Sequence, residues 1–75
     1  MILEIYSESK IGIQHLKAKL EQVYNFTLEN IQGEEIKDEI RRLYGLRTRV
    51  YDKIKAEDIF RLTNDPSLKV YLIND

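Results

Sequence analysis

The sequence has no cysteine and a single histidine among its 75 residues. Disulfide cross-links are excluded, and so is a zinc cage built from cysteine and histidine. Thiol exchange goes with them, because both its attacking and its leaving groups are sulfur. Tryptophan is absent, Pro66 is the only proline, and the three glycines Gly12, Gly33 and Gly45 stand far apart. No glycine-rich run can cradle a phosphate, and no serine stands in a nucleophile elbow. The longest apolar runs, Met1 to Leu3 and Tyr71 to Ile73, fall far short of the roughly 20 residues of a membrane-spanning helix. The N-terminus lacks the basic and long apolar regions of a secretory leader, so a cytoplasmic location without a membrane partner is expected.

What remains is a chain 43% hydrophobic and 33% charged, a balance that folds, since disordered chains carry too little apolar surface to offset their conformational entropy. Residues 1–75 fit one small domain, and near this size folding buries roughly 60% of the surface the unfolded chain exposes. Stability must come from apolar packing, with self-association as a further source. The net charge of −1 is spread unevenly. Residues 1–40 carry −4 and residues 56–75 carry −2. Residues 41–55 set Arg41, Arg42, Arg47, Arg49, Lys53 and Lys55 against Asp52 alone, a basic island of +5.

Ile2, Leu3, Ile5 and Tyr6 read as a short strand closed by the polar Ser7 to Lys10. From Ser9, apolar Ile13, Leu16, Leu20 and Val23 recur at steps of three and four, which predicts an amphipathic helix of about four turns. Phe26, Leu28 and Ile31 read as a second strand, with a helical continuation through Val23, Tyr24, Leu28 and Ile31 as the alternative. Glu34 to Tyr44 restores helical spacing through Ile36, Ile40 and Leu43, with acids early, Arg41 and Arg42 late and Gly45 as the stop, so a second helix is expected there. Residues 47–55 fit a strand or a helix equally. Thr63 to Ser67 is turn-like, although Pro66 could open a helix, and Leu68 to Ile73 is rich in β-formers.

In that order, ILEIYS at 2–7, KAKLEQVYNFTLENI at 17–31 and EIKDEIRRLYGLRT at 35–48 resemble the glutaredoxin branch of the thioredoxin fold over about residues 1–62. The resemblance implies an α/β fold, β-α-β-α followed by a C-terminal β-rich segment. It also implies that Ile11, Gly12, Ile13 and Gln14 stand where that family has its redox pair. Val50 stands in place of its loop proline, and Phe60 and Arg61 in place of its glutathione-site glycines. Redox activity and glutathione binding are therefore not expected. Asp52 and Lys53 depart from the pattern, since they fall in what is an apolar central strand of the family. A C-terminal strand in place of the family's last helix would uncover one sheet face and let Tyr51, Lys53 and Lys55 meet solvent.

His15 has no second ligand at metal spacing and reads as a helix-surface residue. Glu34, Glu35, Asp38 and Glu39 lack the loop and mixed oxygen ligands of a calcium site. No cofactor and no catalytic residue is expected, so the function reads as noncatalytic binding. On the fold that the resemblance implies, Ile11, Ile13, Val50 and Phe60 gather at one sheet end with Lys10, Arg49 and Arg61 around them. Together with Tyr51 they form an interface for another protein in an adaptor or inhibitor. The alternative is nucleic acid: as a strand, Arg47, Arg49, Tyr51, Lys53 and Lys55 share a face that could track phosphates and stack a base, extended by Arg41 and Arg42. Residues 40–54 fit a helix-turn-helix poorly, with bulky Arg41 where tight packing wants a small side chain.

Overall fold

Alternation sets the first strand: Leu3, Ile5 and Ser7 are buried while Ile2, Glu4 and Tyr6 are half-buried on the opposite face. A computed structural model describes residues 1–36, 40–51 and 53–74, without the side chains of residues 35, 36, 40 and 41. The element order is β1 (Ile2–Ser7), α1 (Lys10–Tyr24), β2 (Glu29–Ile36), β3 (Ile40–Arg49), α2 (Ala56–Phe60) and β4 (Lys69–Ile73). The strands form one sheet in the order β2-β3-β1-β4, with every neighbouring pair antiparallel. β1 and β2 run the same way and are joined by α1, but β3 lies between them. That is the split β-α-β topology described as ferredoxin-like.

The thioredoxin-like β-α-β-α arrangement expected from the resemblance is thus overturned, and the segment responsible is 34–44. Its spacing suits a helix, yet the chain there completes β2 and runs into β3. The hairpin register sets Glu29 opposite Arg47, Glu34 opposite Arg42 and Glu35 opposite Arg41. Acids followed by bases suit a helix dipole, but folded back on themselves they also match charge across two antiparallel strands, at about 0.2–1 kcal/mol per pair. Gly45, expected to stop a helix, is a buried residue in the middle of β3. The expected acids Asp38 and Glu39 lie outside the described residues, as does Asp52.

α1 follows its sequence closely. Ser9 caps it, its hydroxyl accepting from the Gly12 N–H at 3.0 Å, which satisfies one of the free donors of the first turn. Asn25 ends it in the left-handed region at φ 57°, a conformation asparagine tolerates better than most residues. Ile13, Leu16 and Leu20 are buried as their spacing predicts, whereas Val23 is 60% exposed. The five-residue α2 had no periodic signature. The Asp58 carboxylate accepts from the Lys55 N–H at its start (3.3 Å), and Ile59 fills the core. Pro66 lies in a turn and opens no helix.

Leu3, Ile5 and Leu46 from the sheet meet Ile13, Leu16 and Leu20 of α1 and Ile59 of α2 in one cluster, closed at its margins by Val50, Ile54 and Leu68. Both helices therefore cover the same face. The other face carries Ile2, Glu4 and Tyr6 of β1, Leu43, Gly45, Arg47 and Arg49 of β3, and Tyr71 and Ile73 of β4, since residues in register share a face. No helix among the described residues is long and apolar enough to cross a membrane.

Candidate functional site

Val50 N–H donates to the Met1 carbonyl at 2.8 Å, so the chain leaving β3 stays beside the start of β1. Tyr51 follows, 88% exposed. The end of α1 comes to the same place: Asn25 turns the chain, and the Tyr24 and Phe26 rings stack at 5.2 Å with 12° between their planes. Both rings rest against the core. Thr48 Oγ1 donates to the Thr27 carbonyl at 3.1 Å, which ties β3 to the chain entering β2. The result is a groove of about 520 Å³ bounded by Tyr24, Phe26, Thr27, Thr48, Arg49 and Tyr51. A smaller hollow of about 310 Å³ continues it past Arg49 to Arg47 and Ile2. Glu29 lines both. Arg47 lies 3.9 Å from the Glu4 carboxylate, so this guanidinium is held over the sheet.

The open face is organised around Tyr6. Its ring lies over two glycines: a Cβ at Gly33 would stand 2.7 Å from Tyr6 Cε1, and one at Gly45 2.9 Å from Tyr6 Cδ1. Any side chain at either position would displace the ring, which is why strand interiors here carry a residue that otherwise weakens them. Tyr6 meets Tyr71 edge to face at 6.0 Å and 66° and donates its hydroxyl to Glu4 Oε1 at 2.9 Å. Burial first, and then the hydrogen bond to Glu4, push the phenol above its ordinary value of 10.0.

A polar latch lies at the opposite end of β1. Ser7 is fully buried and its hydroxyl donates to Asp65 Oδ2. Asp65 Oδ1 accepts from the Ser67 N–H at 2.9 Å and the Ser67 hydroxyl at 2.7 Å. Ser67 Oγ in turn accepts from Glu8 N–H at 3.1 Å. Partial burial raises the Asp65 carboxyl, but the hydrogen bonds from Ser7 and Ser67 outweigh it and hold it below its ordinary 3.8. The network fastens the turn before β4 to the start of α1.

Against this frame the expected protein interface does not assemble. Lys10 and 71%-exposed Ile11 sit at the Ser7 end of β1, while Arg49 and Tyr51 sit at the Ile2 end, about 17 Å away along a six-residue strand. Ile13 is core at 1% exposure, as is Val50 at 2%. Phe60 and Arg61 lie on the helix layer, where Arg61 pairs with Asp58 at 4.0 Å. The expected basic row is shorter than the sequence implied, because β3 ends at Arg49. Arg47 and Arg49 share a face and Tyr51 stands beside them. Lys53 is exposed in the connection, and Lys55 precedes α2 and lies 3.9 Å from Glu57. Arg42 has the opposite parity to Arg47 and lines a separate hollow with Glu34, and the Arg41 side chain lies outside the description. Tyr24 and Phe26 were missed; their signal was an aromatic pair flanking an asparagine just past a predicted helix. No family model matches the chain, and no curated protein does.

Proposed function

We propose that the protein is a noncatalytic domain that binds single-stranded nucleic acid in the groove between Tyr24 and Tyr51. One observation carries the reading: Arg49 and Tyr51 from the basic segment share a groove with a stacked Tyr24–Phe26 pair from a different part of the chain, and Arg47 lines its continuation. Single strands are held by aromatic faces on which bases stack and by cations that follow the phosphates. Tyr51 offers such a face because it is 88% exposed. Arg49 and Arg47 lie along the continuation of the groove, at the spacing of alternate strand residues. Glu29 and Glu4 keep the local charge low, so two phosphates at most are neutralised and binding is modest. Duplexes are disfavoured, since their bases are already stacked on one another.

The test is fluorescence anisotropy with a labelled oligouridylate, an oligothymidylate and a duplex. Both single strands bind more tightly than the duplex, with a log-log salt slope of about −1.4 for two phosphates. Tyr51→Ala weakens binding about tenfold, as loss of one stacked base requires, and Arg49→Glu weakens it further while flattening the salt slope. An absence of binding at low salt, or affinity indifferent to Tyr51→Ala, defeats the reading.

A further inference from the structure

The open face of the sheet shares Ile2, Glu29, Arg47 and Arg49 with the continuation of the groove and carries Tyr6, Tyr71 and Ile73 beyond it. We propose that this face is the interface between two copies of this chain, so that pairing and nucleic-acid binding compete for it. Among the described residues, helices cover one face only. On the other, Tyr71 is 48% and Ile73 43% exposed, beside the half-buried Ile2, Tyr6 and Ile31. An apolar centre carrying tyrosines and an arginine, with charges among them, is the composition of an interface core.

Charge selects the second copy as occupant. Glu4 and Arg47 are register partners on adjacent central strands, and Tyr71 and Glu29 flank them in the same row. Place a two-fold axis parallel to the strands, midway between β1 and β3. β1 then lies over the partner's β3 and β4 over the partner's β2, with strand directions kept. Glu4 faces the partner's Arg47, Arg47 faces the partner's Glu4, and Tyr71 faces the partner's Glu29. Face-to-face sheets stand about 10 Å apart, within reach of a glutamate and an arginine extended toward each other. In this row every opposition is attractive or neutral, as a self-complementary two-fold contact requires, and in the rows beside it Arg49 faces the partner's Ile2 and Lys69 the partner's Ile31.

Area sets the strength. Four strands averaging about seven residues give a face about 19 Å by 24 Å, or about 450 Å² per copy before side-chain relief is added. Two such faces give about 900 Å², below the roughly 1,200 Å² at which stable specific interfaces start and in the range of weak, transient ones. A weak dimer that forms only toward the upper end of the tested concentrations is expected. This inference does not rest on nucleic-acid binding and is read without any oligonucleotide.

Sedimentation equilibrium of the full chain from micromolar to several hundred micromolar tests it, with circular dichroism as the check on folding. The wild type passes from monomer toward dimer at the upper end of that range. Tyr71→Glu and, separately, the strand-end variant Ile73→Glu remain monomeric with unchanged dichroism. Glu4→Arg, which sets arginine against the partner's Arg47, is monomeric, and Glu4→Arg with Arg47→Glu restores the dimer. A monomer at every concentration, a dimer indifferent to both Tyr71→Glu and Ile73→Glu, or a double swap that stays monomeric overturns the proposal.

Discussion

The two faces of the sheet are built by different physics. The covered face is aliphatic, packed by Leu3, Ile5 and Leu46 against three residues of α1 and one of α2. Its one buried polar residue among those described, Ser7, has its hydroxyl fully engaged. The open face is made from a tyrosine laid over glycines, an edge-on second tyrosine and an ion pair. One face holds the fold by removing apolar area from water. The other holds a shape that solvent still reaches, which leaves it available for contact.

The sharpest way to break this comparison is a matched pair of truncations. Leu46→Ala is expected to cost about 2–5 kcal/mol, a large part of the roughly 4–11 kcal/mol available to a domain of this length. Leu43→Ala, at a side chain on the other face and outside the main cluster, is expected to cost less than half as much. Urea denaturation of both variants measures the gap, and equal costs would mean that the open face is a second core.

Gly45→Ala tests the open face itself. The added Cβ stands 2.8 Å from Ile31 and 2.9 Å from Tyr6, so a loss of about 1–3 kcal/mol is expected from overpacking. Combined with Tyr6→Ala, the loss is smaller than the sum of the two single changes, because the clash with the ring disappears and only that with Ile31 stays. Strict additivity in that double-mutant cycle would show that the ring does not require the glycine.

The polar latch gives a smaller effect with a pH signature. A depressed carboxyl contributes stability that is present above its unfolded value, near 4, and lost as pH falls through its lower folded value. Asp65→Asn is expected to cost about 1 kcal/mol at neutral pH and to flatten the acid limb below pH about 4. Stability curves at several pH values decide this, and an acid limb unchanged by the substitution would remove Asp65 from it. Smallest of all, Ile11→Ala, at a 71%-exposed residue on the helix side, shifts stability by no more than about 0.5 kcal/mol.

The elements that sequence reveals are those whose local and tertiary demands agree. β1 alternates because one of its faces is core. α1 is capped at Ser9, where its apolar spacing predicts a start, and Ile13, Leu16 and Leu20 of that stripe are buried. Residues 29–49 fail that condition. Ile36, Ile40 and Leu43 satisfy a helical period, and the choice of a hairpin rests on cross-strand partners and on the distant Tyr6 of β1, which covers Gly33 and Gly45. A glycine that accommodates a distant ring looks, in sequence, like a break. The groove was half legible for the same reason: Arg47, Arg49 and Tyr51 are near neighbours, whereas Tyr24 and Phe26 reach them only through the fold. Resemblance to a redox carrier implied a β-α-β-α order, and the sheet overturns it, because β3 lies between β1 and β2 where a second helix was expected at 34–44.

β2 ends the sheet on one side, and its outward backbone groups are a template on which another strand could grow. Glu29 and Glu34 occupy that margin, so two copies meeting there bring like charges together. Pairing of β2 with β2 is thereby discouraged.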